Sequence, residues 1–160
     1  MILGLDTRVV MALLSGAEPH YRRRLDEARA LGAQACLSSI VLNELALAAL
    51  KGPRVDQDLM RIDALVGEIE VEAWTAEDAL AAARLRMELE RDGQGIGAFD
   101  TLVAGQALSR GWTLVTTDAW AFLRVKGLAL LDWSDPAGAR DYSEAALARR
   151  MKAALVSGDR

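Results

Sequence analysis

The chain has 160 residues, 52% of them hydrophobic, and a formal net charge of -4. That is the length of one domain, enough to bury about two thirds of its unfolded surface without staples. No apolar run is long enough to cross a bilayer, and no N-terminal stretch has the build of a signal peptide, so the expectation is a soluble, cytoplasmic protein. A single cysteine, Cys36, excludes an internal disulfide or a zinc cluster and is expected as a buried core thiol.

Residues 2–5 form a short apolar run that stops at Asp6, and 9–14 suit a first helix. A polar stretch over 18–27 carries His20, Tyr21 and the run Arg22, Arg23 and Arg24, and leads into a helix through Ala30. Such a charge run is expected as a solvated face, and His20 has no partner at metal-ligand spacing. Residues 35–37 form a second strand. Ser38 or Ser39 then caps a helix over 41–50, in which Leu42, Leu45 and Ala49 share an apolar face and Glu44 lies beside that stripe.

Gly52 and Pro53 break the chain before an amphipathic helix over 55–67, and 69–74 alternates apolar and acidic residues as a strand does. Thr75 with Glu77 and Asp78 marks the start of an Ala-rich helix running to Arg91. Residues 92–97, with three glycines, are a loop into a helix that carries Asp100 near its start. An apolar strand over 114–116 follows and leads to Asp118, and 129–131 is a last strand ending near Asp132 and Trp133. Asp135 and Pro136 suit the cap and first position of a further helix, and 143–156 has an amphipathic pattern with Leu147, Met151, Ala154 and Leu155 on one side and Arg149, Arg150 and Lys152 as its basic residues. Strands alternating with helices predict a three-layer α/β/α domain around a central parallel sheet.

Four acids share one property: Asp6, Glu44, Asp100 and Asp118 each follow a strand or sit early in a helix. Singly, each is explained as a cap, a dipole partner or a loop acid. Together, in a parallel sheet, all four point toward the edge where ligands bind in open α/β folds. If they hold a metal, the remaining acids balance the 19 Lys and Arg, and the negative net charge ceases to argue against a nucleic-acid substrate.

The segments "LDT" at 5–7, "LSSIVLNEL" at 37–45, "IGAFDTLVAGQAL" at 96–108 and "LVTTDAWAF" followed by "RVKGLALLDW" resemble, in order and spacing, the signature segments of PIN-domain ribonucleases of the VapC toxin type. The resemblance covers 1–133 as the nuclease domain and leaves 134–160 as a C-terminal helical extension of the same domain. It implies a Mg2+- or Mn2+-dependent endoribonuclease, the toxin of a bacterial toxin-antitoxin pair, in which Asp6, Glu44, Asp100 and Asp118 are the catalytic metal ligands. It also implies an RNA substrate, a small antitoxin whose C-terminal segment obstructs the site, and a homodimer. The chemistry agrees with that role: hard divalent cations prefer carboxylate oxygen and water, acidify water into a nucleophile and stabilise charge on the scissile phosphate.

Thr7, Thr116 and Thr117 are candidates to hydrogen-bond these acids or the substrate, and Trp120 is a candidate to stack on a base or to pack on the sheet edge. The chain departs from the family pattern twice. Arg8 stands where many members of that family carry a small polar residue such as Asn, where a guanidinium would pair with a site carboxylate or grip a phosphate. Thr117 stands where an Asn is common. The alternatives are a PIN nuclease of RNA processing without a toxin role, and an inactive PIN-like binding protein. A haloacid-dehalogenase-type phosphotransferase fits less well, because Asp6-Thr7-Arg8 lacks the second acid, and no Walker or dinucleotide glycine pattern is present.

Overall fold

The computed structural model describes residues 1–143 and 146–147. The elements run β1 (Ile2–Leu5), α1 (Thr7–Ser15), α2 (Pro19–Ala30), β2 (Gln34–Ser38), α3 (Ser39–Lys51), α4 (Val55–Val66), β3 (Glu70–Glu72), α5 (Ala76–Arg91), α6 (Ala98–Arg110), β4 (Thr113–Thr116), α7 (Ala119–Phe122), β5 (Ala129–Asp132) and β6 (Arg140–Asp141). The strands form one sheet in the order β3-β2-β1-β4-β5-β6. β1 to β5 are mutually parallel and β6 closes the edge antiparallel to β5.

The expected three-layer α/β/α architecture follows from this order. Connections from β1 through β3 step one way across the sheet and those from β4 onward step the other, so right-handed crossovers place their helices on opposite faces. The middles of the central strands are apolar, as strands covered on both faces require: Leu3, Leu5, Leu37, Leu114, Val115 and Leu130 are all buried. Cys36 joins this core, and burial pushes its thiol up to about 12, which makes it an inert core residue as expected. Among the described residues no helix is long and apolar enough to cross a membrane.

Local chemistry sets most boundaries where the sequence puts them. The Ser38 hydroxyl accepts from the Ile40 amide to start α3, and Thr75 and Asp78 form a reciprocal capping box on α5. Past β5 the structure differs from the expectation. The helix expected to begin at Asp135 and Pro136 is instead a turn, in which the Asp135 carboxylate accepts from the Ala137 amide at 2.9 Å. The chain then returns as β6, two residues too short to carry any periodic signal. The one-turn helix α7 was not expected for the same reason. The amphipathic helix expected over 143–156 falls, apart from 143 and 146–147, outside the described residues, as do the basic residues on it.

The arginine run also divides. Arg22 pairs with Glu68 at 2.7 Å on the surface, whereas Arg24 is buried and donates to the carbonyls of Trp133, at 2.5 Å, and Asp135. His20 is buried beside them, with Nε2 3.2 Å from the Trp133 carbonyl and its ring tilted against that of Tyr21 at a centroid distance of 4.0 Å. Both serve to fasten the chain after β5 onto α2.

Candidate active site

The strand order reverses between β1 and β4, and in such sheets the crevice beyond the carboxyl ends at that reversal is where ligands bind. Asp6 directly follows β1 and Asp118 lies two residues past β4. Helices that return the chain between parallel strands start at this same edge, which places Asp100, in the first turn of α6, and Glu44, in α3, near it as well. Asp6, Glu44 and Asp100 line one cleft of about 290 Å³, together with Thr7, Arg8, Gly97, Ala98 and Phe99. Asp118 does not line that cleft. It is joined to it by Arg8, whose guanidinium is ion-paired with the Asp118 carboxylate.

Each acid except Asp100 is held by a neighbour. Asp6 is the N-cap of α1: its Oδ1 accepts from the Arg8 amide at 2.6 Å and its Oδ2 from the Thr116 hydroxyl. Thr116 Oγ1 in turn accepts from the Asp118 amide at 3.0 Å, so one hydroxyl sets the relation between the acids after β1 and β4. The Thr7 hydroxyl donates to Glu44 at 2.6 Å, which ties α3 to the first turn of α1. Among the described residues no hydrogen bond reaches the Asp100 carboxylate, and none links Thr117 to a site acid. Two of the three candidate threonines therefore orient acids.

Electrostatics marks Asp6 as the buried member. Burial pushes its carboxyl above the usual range, the Thr116 hydroxyl and the Arg8 amide pull it back, and the charge of Asp100 pushes it up again. The Arg8 guanidinium is raised chiefly by its hydrogen bond to Asp118, against a smaller effect of burial, with Asp6 and Asp100 adding to the same field.

This donor set suits a hard divalent cation. Every oxygen offered is a carboxylate or hydroxyl, and a buried acid beside a like-charged neighbour is the pair that a cation relieves. Among the described residues no group of three or more His, Cys, Asp or Glu is already gathered as a metal cage. The acids surround the cleft without closing into a cage, which suits a hard divalent ion that keeps part of its water shell.

Gly97 was not singled out by sequence reasoning, yet it shapes the site. A Cβ there would stand 2.6 Å from Asp100 Oδ2, so the glycine leaves the space that this carboxylate occupies. The glycine-rich loop was its only sequence signal. Trp120 does not pack on the sheet edge, being 78% exposed.

A family model described as PIN domain matches residues 4–128. The chain belongs to the PIN-domain family. It is 34% identical over 130 residues to a protein of Shigella flexneri named tRNA(fMet)-specific endonuclease VapC, covering 81% of this chain and 96% of that one. Ribonuclease VapC2 of Rickettsia felis is 32% identical over 133 residues, 83% of this chain and 98% of the relative. Among solved structures, VapBC2 from Rickettsia felis bound to a fragment of promoter DNA aligns with a TM-score of 0.79 at 30% identity, covering 83% of this chain and 99% of that one. This PIN domain thus spans nearly the whole of its VapC-type relatives and is a nuclease of that class, a hydrolase. PIN nucleases generally depend on a divalent metal ion.

Proposed function

We propose that this PIN domain is a Mg2+-dependent endoribonuclease, with Mn2+ as a substitute, and the toxin of a bacterial toxin-antitoxin pair. The observation that carries the reading is the cleft at the sheet reversal, where acids from three separate segments meet and a fourth is linked through Arg8. Asp6, Glu44, Asp100 and Asp118 would hold the ion. Bound there, it would supply Lewis-acid stabilisation of the phosphate and activation of a water for in-line attack.

The residues of the chain have distinct tasks in this scheme. Thr116 and Thr7 fix the rotamers of Asp6 and Glu44, so the cleft is organised before substrate arrives. Asp100, free of protein hydrogen bonds among the described residues, keeps all its acceptor capacity for the ion and its waters. Trp120, exposed two residues past Asp118, is placed to stack on an unpaired base. No histidine takes part, since His20 is committed to the Trp133 carbonyl.

Solved structures similar to this chain are antitoxin-toxin complexes of the VapBC kind, and by likeness this chain is expected to bind a small antitoxin, to act on RNA in the cytoplasm and to form a homodimer. The test is cleavage of a mixed RNA pool by the purified chain. Wild type is expected to cut with Mg2+ and to stop with EDTA, and Asp100→Asn is expected to lose activity by at least about a thousandfold while its metal-free fold is as stable as wild type or more so. An Asp100→Asn chain that cuts at the wild-type rate removes Asp100 from the mechanism. Induced expression separates the toxin role, because growth arrest by wild type alone supports it and arrest by both chains argues for binding instead.

A further inference from the structure

Arg8 is in an unfavourable place for a reason that lies outside its own helix. It sits in the first turn of α1, directly after the N-cap Asp6 and Thr7, where a positive charge opposes the helix dipole. Its side chain is 54% exposed, so packing does not account for it. An ion pair as open as Arg8–Asp118 adds little to stability. What distinguishes Arg8 is its surroundings: it lines the cleft with Asp6, Glu44 and Asp100, reaches across 110 positions of sequence to Asp118, and feels the charges of Asp6 and Asp100 as well.

An arginine keeps its charge at any working pH, so it does not leave an incoming cation's way by losing a proton. A divalent ion entering the cleft meets the guanidinium twice, as a repelling charge and as the present partner of Asp118 Oδ2. The exposed side chain has solvent to move into.

We infer that Arg8 is the built-in counter-cation of the carboxylate cleft, holding Asp118 when no divalent ion is bound, and that a divalent ion has to displace it. The inference rests on reading the cleft as a cation site and adds a competitor within the chain to that reading. It follows that the divalent affinity of this protein is set below what its four acids alone would give.

The experiment is calorimetric titration of the full chain with Mn2+, in wild type, Arg8→Gln and Asp100→Asn. Arg8→Gln is expected to bind Mn2+ about tenfold more tightly, the effect of removing one nearby charge from a doubly charged ion's site, and Asp100→Asn to lose binding. Equal or weaker binding by Arg8→Gln, with Asp100→Asn still defective, overturns the counter-cation and leaves the nuclease reading standing. A wild type that binds no Mn2+ overturns both. Should Arg8→Gln fold poorly, the guanidinium NMR signals of wild type serve instead. The Arg8 signal is expected to shift and gain solvent exchange as Mg2+ is added, and an Arg8 signal that Mg2+ leaves unmoved overturns the inference.

Discussion

Gly97 decides where the Asp100 carboxylate sits. It is the N-cap of α6, with a φ of -53° that any residue adopts, so backbone freedom is not why a glycine stands there. Space is: the atom that an added methyl would meet is the end of the Asp100 side chain, which is able to turn away. Gly97→Ala is therefore expected to fold with a stability within about 1 kcal/mol of wild type. It is expected to cut RNA roughly 10- to 100-fold more slowly, because the displaced carboxylate no longer meets the ion in the productive geometry. Thermal melting and a cleavage time course check the two halves, and a normal rate would show that the position of Asp100 is not critical. Asp6, Glu44, Asp100 and Asp118 stand out in the sequence as candidates because each follows a strand or sits early in a helix. Gly97 does not, since its role depends on where the side chain three residues on is folded back.

The pair α5 and α6 carries a part-buried polar network away from the cleft. Gly105 of α6 lets the two helices close up, since a Cβ there would stand 2.5 Å from the Cα of Ala82. At the end of the pair Arg110 donates to Asp78 at 2.8 Å and Glu72 at 2.5 Å and lies over the ring of Trp112. Ser109 and Gln106 also donate to Asp78, at 2.9 and 3.3 Å. Burial alone would raise the Asp78 carboxyl, but the Arg110 guanidinium, the Thr75 amide and the Ser109 and Thr75 hydroxyls outweigh it and hold it down to about 2. A depressed acid stabilises the fold above its unfolded value of 3.8 and ceases to do so as pH falls through about 2. Asp78 is accordingly expected to contribute about 2 kcal/mol at neutral pH, lost between roughly pH 4 and 2. Denaturant unfolding of Asp78→Asn is expected to show a loss of at least that size at pH 7 and a flatter profile through the acid window, and an unchanged acid profile would contradict it. The sequence disclosed Asp78 only as a helix cap. Its partners lie some 30 residues away on another helix, and no local pattern announces them.

The order of strands is what brings scattered acids to one candidate site. Because the sheet reverses direction between β1 and β4, the residues following those two strands face each other across one crevice, and the starts of α3 and α6 come up beside it. Alternating strand and helix signals made the layered parallel sheet legible, though not the order of its strands, and the four signature segments pointed to the family. The end of the chain was less legible. Asp135-Pro136 serves a turn as readily as a helix start, and the buried Arg24, which holds the turn's carbonyls, looks in sequence like any other member of a surface charge run. The claim on which everything else depends is spatial, that the acids at this crevice share one divalent ion. Anomalous scattering from crystals of the full chain grown with Mn2+ measures it directly. The expected result is a peak in the cleft within coordination distance of Asp6 and Asp100, with Arg8 drawn off Asp118. Mn2+ bound elsewhere on the surface, with Arg8 still on Asp118 and the cleft holding only water, would contradict it.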